Sequence, residues 1–239
     1  MYGGETVRYP HRALGDSIEA SQLIVSRTGT GQTRFLLTEN KVFEDTFPRL
    51  TDLDGFGKTH IVSILTEVTQ GASVAVFGIE DDDLTLLAQT PYIGTPNRWL
   101  NIAGIADFDG SGSSSIALVK TPHIGGTLQF WRWSIDAEGK PMLTPIAEAP
   151  GFSNHEFGSR EQRLSAVEDF DNDGVTDIAV PSADRKTLRL VKVADGTVVD
   201  IATIPLPAPI DKAIGVTRQD DDVVLTVGLE DGSVWAVHR

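Results

Sequence analysis

The chain has 239 residues, a formal net charge of −14 and no cysteine. The negative charge argues against nucleic-acid binding, because phosphate contacts need a basic surface. The missing cysteines exclude disulfides, thiolate zinc sites and cysteine nucleophiles, and they suit an oxidising compartment. No apolar run approaches the ~18 residues of a membrane-spanning helix, so we expect no membrane span.

Short predicted strands fill the first part of the chain. Residues 5–9 form a candidate strand, and a first group of strands follows over 11–47. A second group spans 48–94 and contains an acidic loop in which Asp52 and Asp54 come just before a strand. We expect each group to form one small antiparallel sheet.

Two further groups, 97–150 and 160–207, each contain another acidic loop directly before a strand. The loop of the third group offers fewer acids, and its candidate ligands are Asp107, Asp109, Ser111, Ser113 and Ser115. The loop of the fourth group is the richest. It places carboxylates at loop positions 1, 3, 5 and 9, and its candidate ligands are Asp169, Asp171, Asp173, Asp177 and the carbonyl of Val175.

The acidic loop that starts at Asp169 has the composition of a calcium site. Ca²⁺ takes six to eight oxygen ligands at about 2.3–2.6 Å, and a tight acidic turn supplies such oxygens. Gly174 stands where the chain must curl around the ion, so we expect it to adopt a positive φ. An EF-hand loop opens with the same spacing, but it closes with a glutamate at position 12 and lies between helices.

The other two loops keep only part of this ligand set. Ser111 and Ser115 replace two of the acids in one loop, and Phe56 and His60 replace them in the other. Fewer charged oxygens bind Ca²⁺ more weakly, so we expect one bound Ca²⁺ and at most three. The alternative for the weaker copies is an acid-rich turn whose aspartates bond their own backbone, and we prefer it for the loop at Asp52.

The fifth group of strands, 211–239, has three strands, and residues 5–9 could supply a fourth. Repetition of one unit that contains several short strands is the mark of a β-propeller. We therefore predict an all-β chain, with residues 1–239 forming one propeller of five four-stranded blades that the N- and C-terminal strands close. The alternative is a fragment of a larger ring.

The repeated motif, Asp-x-Asp-x-Asp-Gly-x-x-Asp-Ile in its fullest copy at 169–178, resembles the FG-GAP/VCBS repeat family, which includes the integrin α-subunit propeller. The resemblance covers about residues 50–205 and implies a propeller with cation loops. Four short segments resemble VCBS-repeat proteins of α-proteobacteria, which implies a periplasmic or secreted location: Arg8-Tyr9-Pro10-His11, 94–100, Thr121-Pro122-His123 and Ser153-Asn154-His155. Residues 1–5 lack the charged and apolar segments of a signal peptide.

In a propeller, the connections opposite the cation loops share one face. Polar and aromatic side chains that converge there would form a ligand site, and the candidates are His11, Arg98, Trp99, His123, His155, Glu156 and Arg160. Structural roles are the alternative: the histidines would cap loop carbonyls, Arg98 would hold a neighbouring backbone, and Trp99 would cover the core.

The function predicted from these features is that of a calcium-binding extracytoplasmic module that holds a protein or glycan. The residues favour binding over catalysis and leave an enzymatic role open. One alternative is a glycan-active hydrolase or lyase, for which Glu156 and Glu161 are the available acids. Another is a subunit of an envelope assembly.

Overall fold

The computed structural model describes residues 1–29, 31–219 and 222–239, and every regular element in this part of the chain is a β-strand. The all-β prediction is confirmed. Over the same residues, no helix has the length and apolar character that crossing a membrane requires. The chain divides into two compact units, Met1–Leu100 with Trp133–Thr144, and Asn101–Arg132 with Pro145–Arg239.

The first unit contains one antiparallel sheet of eight strands. The strands are β1 (Tyr2–Thr6), β2 (Glu19–Arg27), β3 (Gly31–Leu36), β4 (Lys41–Phe43), β5 (Arg49–Thr51), β6 (His60–Glu67), β7 (Gly71–Glu80) and β8 (Asp83–Gln89). The sheet order is β1-β2-β4-β6-β7-β8, while β3 also pairs with β2 and β5 also pairs with β6. β6 is buried along its whole length and β7 along most of it, so the two strands form the centre of this unit.

Two features of this sheet differ from the sequence-based expectation. The groups 11–47 and 48–94 do not form separate sheets, because β4 pairs with β6 in the register Lys41↔Glu67 to Phe43↔Leu65. β1 pairs with β2 from Tyr2↔Leu23 to Thr6↔Glu19, instead of adding residues 5–9 to the C-terminal sheet.

The side chain of Tyr2 explains the position of the first strand. Its ring stacks on Phe43 at 5.3 Å, and its hydroxyl lies 2.6 Å from Ser63 Oγ and 3.0 Å from Asp45 Oδ2. Leu23, opposite Tyr2, is completely buried. Burial of these apolar groups together with the two polar contacts favours the observed register over pairing elsewhere.

The second unit is built mainly on three smaller antiparallel sheets. Their strands are β9 (Leu100–Ala106), β10 (Ser115–Lys120), β11 (Thr127–Ile135), β12 (Pro141–Pro150), β13 (Ala166–Glu168), β14 (Asp177–Pro181), β15 (Thr187–Ala194), β16 (Thr197–Pro205), β17 (Gly215–Gln219), β18 (Asp222–Gly228) and β19 (Val234–His238). The sheet orders are β12-β11-β10-β9, β13-β14-β15-β16 and β17-β18-β19. Residues 133–144, at the end of β11 and the start of β12, group with the first unit.

Neighbouring sheets of the second unit share apolar cores. One core joins side chains of β9–β12 with side chains of β14 and β15, and it includes Phe108, Phe130, Phe152, Ile178 and Val191. The next joins the β13–β16 sheet to the C-terminal sheet, and it includes Leu164, Phe170, Leu190, Leu225 and Val227. In both cores an aromatic residue from position 2 of an acidic loop is buried, which anchors that loop to the sheets.

Candidate metal centre

Each acidic loop joins two neighbouring strands, β5 to β6, β9 to β10 and β13 to β14. In all three loops the residue at position 9 is the first residue of the following strand. These residues are His60, Ser115 and Asp177, and all three are buried. The polar side chain at position 9 therefore lies under the loop, at the point where the sheet begins.

The position-9 side chain also receives the backbone of its own loop. Phe170 N–H donates to Asp177 Oδ2 at 2.8 Å, and Leu53 N–H donates to His60 Nδ1 at 3.3 Å. Ser115 Oγ is buried and has no hydrogen-bond partner among the described residues. Two of the three loops thus use the same contact to fix their curvature.

The loop from Asp169 to Asp177 brings three carboxylates to one point. One oxygen each of Asp169, Asp171 and Asp177 lies within 4.8 Å of the others, so the group could hold a metal ion. Asp177 is completely buried, and its Oδ1 has no partner among the described residues. A buried carboxylate oxygen without a donor is costly, so this atom fits a bound cation.

The electrostatics of Asp177 agree with that geometry. Burial raises its pKa to about 7, the Phe170 N–H opposes the rise, and the charges of Asp171, Asp173 and Asp169 add to it. The carboxyl group is therefore held among like charges in a place that water solvates poorly. A divalent cation would relieve both effects, because an adjacent positive charge favours the ionised form.

Backbone N–H groups shape the remainder of this loop. Asp169 accepts bonds from Asp173 N at 3.2 Å and Gly174 N at 2.9 Å, and Val175 N–H donates to Asp173 Oδ1 at 2.9 Å. Gly174 has a φ of +90°, as predicted. Asp107 accepts the equivalent bonds in its own loop, and Asp52 accepts bonds from Gly55 N and Gly57 N, so the first aspartate organises the turn in every copy.

Two basic residues meet this loop that the sequence analysis did not single out. Lys192 Nζ lies 2.5 Å from Asp171 Oδ2 and 2.8 Å from Asp173 Oδ2. The bond from Lys192 is the main cause that lowers the pKa of Asp173. Arg218 donates to the carbonyl of Asp169 at 2.6 Å. Only the pairing of β14 with β15 could have located Lys192, because nothing within the motif points to it.

The loop that starts at Asp107 offers a poorer ligand set. Arg132 forms an ion pair with Asp109 Oδ2. Ser111 Oγ accepts a long bond of 3.4 Å from Ser113 N. With two carboxylates, one of them paired to a guanidinium, this loop has little negative charge left for a cation.

The loop that starts at Asp52 gathers a mixed ligand set. Atoms of Asp52, Asp54 and His60 lie within 4.8 Å of one another, so this group too could hold a metal ion. His60 Nε2 is 3.9 Å from Asp54 Oδ2, and the His60 ring packs edge-on against Trp133 at 4.9 Å. Burial lowers the pKa of His60, so the ring is neutral at pH 7.

The hydrogen bond from Leu53 assigns the tautomer of His60. Because Nδ1 accepts that bond, the proton of the neutral ring is on Nε2, which lies 3.9 Å from Asp54 Oδ2 and so is too far for a hydrogen bond to it. A metal that bound Nε2 would displace this proton. The neutral ring would then carry its proton on Nδ1, which could no longer accept the hydrogen bond from Leu53. The bond from Leu53 therefore gives His60 a structural role in the turn, in line with the turn interpretation preferred for this copy.

Within the first unit, two of the predicted ligand-binding residues converge on Glu44. His11 Nδ1 lies 2.6 Å from Glu44 Oε1, and Trp99 Nε1–H donates to the Glu44 carbonyl at 2.9 Å. Trp99 is 1% exposed, so it occupies the core, which was its alternative role. Arg98 Nη1 bonds the carbonyl of Asn97 at 2.9 Å.

Within the second unit, His123 and His155 are in direct contact. His123 Nε2 lies 2.8 Å from His155 Nδ1, and His155 Nε2 lies 3.0 Å from the carbonyl of Ser159. Since a carbonyl only accepts, His155 Nε2 carries the proton and His155 Nδ1 accepts from His123. His155 is fully buried, whereas Phe157, whose ring meets His123 edge-on at 5.3 Å, is exposed. Phe157 is a surface aromatic that the sequence analysis missed.

The acids proposed for glycan hydrolysis form ion pairs with neighbouring arginines. Glu156 pairs with Arg185 at 3.6 Å, and Glu161 Oε1 accepts from Arg163 Nε at 2.9 Å. Burial acts to raise the pKa of Glu161, but the bonds from Arg163 outweigh it and lower the pKa. A general acid needs a raised pKa, so Glu161 is unsuited to that role. Arg160, the last predicted residue, is exposed.

No family model matches the chain. A comparison with curated proteins also finds no match.

Proposed function

We propose that this chain is a calcium-binding, extracytoplasmic β-propeller that serves as a scaffold for a protein or glycan partner. The buried, unpartnered Oδ1 of Asp177 beside Asp169 and Asp171 carries the metal part of the proposal. No donor group among the described residues bonds this oxygen, so a bound cation would stabilise it.

The ligand chemistry of the loop favours Ca²⁺ over other ions. All its donors are oxygens, namely four carboxylates and a backbone carbonyl, with no nitrogen or sulfur donor in the motif. Hard oxygen ligands in a flexible turn suit Ca²⁺, while Mg²⁺ requires a smaller and more regular octahedral arrangement. We propose one calcium ion, held by the loop from Asp169 to Asp177.

The propeller part of the proposal rests on repetition. Three loops of one design each lead into the next strand of a sheet, and neighbouring sheets of the second unit share apolar cores. Radially arranged sheets that pack face to face would produce both features.

Thermal unfolding with and without calcium tests the metal site. An ion that binds only the folded state stabilises it by RT ln(1 + [L]/Kd), roughly 2.7 kcal/mol at a hundredfold excess over Kd. EDTA should lower the melting temperature, and Ca²⁺ should restore it at concentrations where Mg²⁺ does not. An unchanged melting temperature in EDTA would refute the calcium site.

A partner surface is proposed around the exposed Phe157. Its ring, together with His123, Glu156 and Arg160, offers the aromatic and charged groups that bind sugars or peptide side chains. Binding of the protein to a panel of glycans and to extracellular proteins should weaken with Phe157→Ala. Val234→Ala, an exposed apolar residue elsewhere in the same unit, is the matched control. Equal binding by both variants would exclude this surface.

A further inference from the structure

We propose that Lys192 is a tethered cation that competes with the divalent ion for the loop from Asp169 to Asp177. The ammonium group would neutralise the loop when calcium is scarce and leave it when calcium binds. This inference rests on the calcium site proposed above, and it concerns the affinity of that site and its metal-free state.

The position of the ammonium group is the first observation. Nζ of Lys192 bridges Asp171 Oδ2 at 2.5 Å and Asp173 Oδ2 at 2.8 Å, and both carboxylates belong to the calcium ligand set. A cation bound by these two aspartates would lie beside Nζ. Two positive charges at such a separation repel each other, so the ion and the ammonium group exclude one another.

The sheet register explains why Lys192 reaches the loop. Ile178 of β14 pairs with Val191 of β15, so the preceding residue, Asp177, lies opposite Lys192. Side chains of opposed residues lie on the same face of a sheet. Lys192 therefore starts at the buried end of the loop and extends along it toward the acids, with its side chain 29% exposed.

The loop at Asp107 repeats the arrangement. Ser115, at its ninth position, pairs with Arg132 of β11. Arg132 forms an ion pair with Asp109, the equivalent of Asp171. A cationic residue opposite the ninth position thus neutralises the loop in two copies, which separates this feature from a chance surface ion pair.

The loop at Asp52 lacks such a cation. Ile61 pairs with Phe77, so His60 lies opposite Gly78. A Cβ atom at Gly78 would lie 2.6 Å from Leu87 Cδ1, so a side chain there would require Leu87 to move. That copy fills its ninth position with a neutral imidazole instead. The three loops therefore differ in their built-in charge as well as in their number of acids.

Substitution of Lys192 by methionine tests the proposal, because methionine keeps the unbranched stem as far as Cε and removes the charged ammonium group. Calcium affinity is measured by isothermal titration calorimetry, and the melting temperature is measured in EDTA and in Ca²⁺. Lys192→Met should bind Ca²⁺ about threefold to thirtyfold more tightly than the wild type, the range expected for loss of two exposed ion pairs. It should also melt at a lower temperature in EDTA. Lys186→Met removes one charge just before β15 and should change neither value.

The outcomes separate this inference from the calcium proposal. A wild type that binds Ca²⁺ while Lys192→Met binds no more tightly would refute the tethered cation and leave the calcium site standing. Binding by Lys192→Met alone would support the tethered cation and refute a native calcium site. Absence of binding in both proteins would refute both proposals.

Discussion

Phe170 N–H donates a hydrogen bond of 2.8 Å to Asp177 Oδ2, and this contact joins the start of the Asp169 loop to the strand that follows it. Leu53 N–H makes the same contact with His60, so this hydrogen bond is a feature of the loop conformation and does not depend on an acid at position 9. In the Asp169 loop it uses one carboxylate oxygen of Asp177 and leaves the other for a cation.

Asp177→Asn should abolish the calcium effect and stabilise the metal-free protein. Asparagine keeps an oxygen for Phe170, removes a charge from among three other acids, and adds a donor toward them. We expect the melting temperature in EDTA to rise by a few degrees, as about 1 kcal/mol of added stability would produce, and the increase on adding Ca²⁺ to disappear. Differential scanning calorimetry measures both.

Asp195→Asn is the control for that substitution. It removes the same charge at a position in the β15–β16 hairpin, where asparagine tolerates the φ of +51°. It should retain the full calcium response. A calcium response of normal size in Asp177→Asn would contradict the assignment of Asp177 as a ligand.

The buried His155 should make the protein less stable in mild acid. Burial lowers the pKa of His155 to about 4, and the charge of Arg185 adds to this, whereas an unfolded histidine has a pKa near ~6.5. Between these values the unfolded chain binds more protons. The contribution of His155 is therefore complete above pH ~6.5 and is lost as the pH falls toward 4, up to about 3 kcal/mol.

Urea unfolding at pH 7 and pH 5 measures this loss. His155→Gln should show a smaller difference between the two pH values, while His238→Gln, which changes an exposed histidine, should behave like the wild type. Identical pH dependence in all three proteins would show that His155 titrates normally.

Gly126 should tolerate no side chain. A Cβ atom there would lie 1.9 Å from the carbonyl oxygen of Phe152, where the segment before β11 meets the segment after β12 and both Gly151 N–H and Phe152 N–H donate to the Gly126 carbonyl. Gly126→Ala should cost more than 2 kcal/mol, in the upper range of single substitutions. Gly125→Ala meets open space and pays only for a φ of +66°, about 1–2 kcal/mol. Comparable urea midpoints for the two variants would contradict the close approach.

Trp99 should act through stability and not through ligand contact. Trp99→Phe removes the indole donor and leaves the carbonyl of Glu44 without that bond, at a cost of about 1–3 kcal/mol. Trp235→Phe, at a half-exposed position, should cost much less. Both are measured by urea unfolding. If Trp99→Phe were as stable as the wild type but bound a glycan or protein more weakly, the prediction would be wrong and Trp99 would be a ligand-binding residue.

Local features of the sequence predicted the acidic loops well. The spacing of the aspartates and Gly174 depends on a few consecutive residues, so the turn, its positive φ and the strand after it were all accessible from the motif. The basic residues that contact those loops were not predicted. Lys192 and Arg132 reach the acids across a hairpin, and their positions depend on strand register, which the motif does not encode.

The grouping of strands was also beyond local reasoning. β4 has only three residues, and whether it ends one sheet or joins the next depends on its pairing with β6. The place of β1 depends on the contacts of Tyr2 with Phe43, Ser63 and Asp45, which are far apart in the chain. Periodicity identifies strands, whereas long-range packing selects their neighbours.

The pairing of β4 with β6 limits how this chain can be divided. A fragment that stopped at residue 47, or one that began at 48, would each expose a bare strand edge where the two halves now share a ladder. The cut would also separate Asp45 from Ile64, whose backbone N–H donates a hydrogen bond of 3.0 Å to Asp45 Oδ2. Any fragment of this region must therefore keep at least the whole eight-stranded sheet.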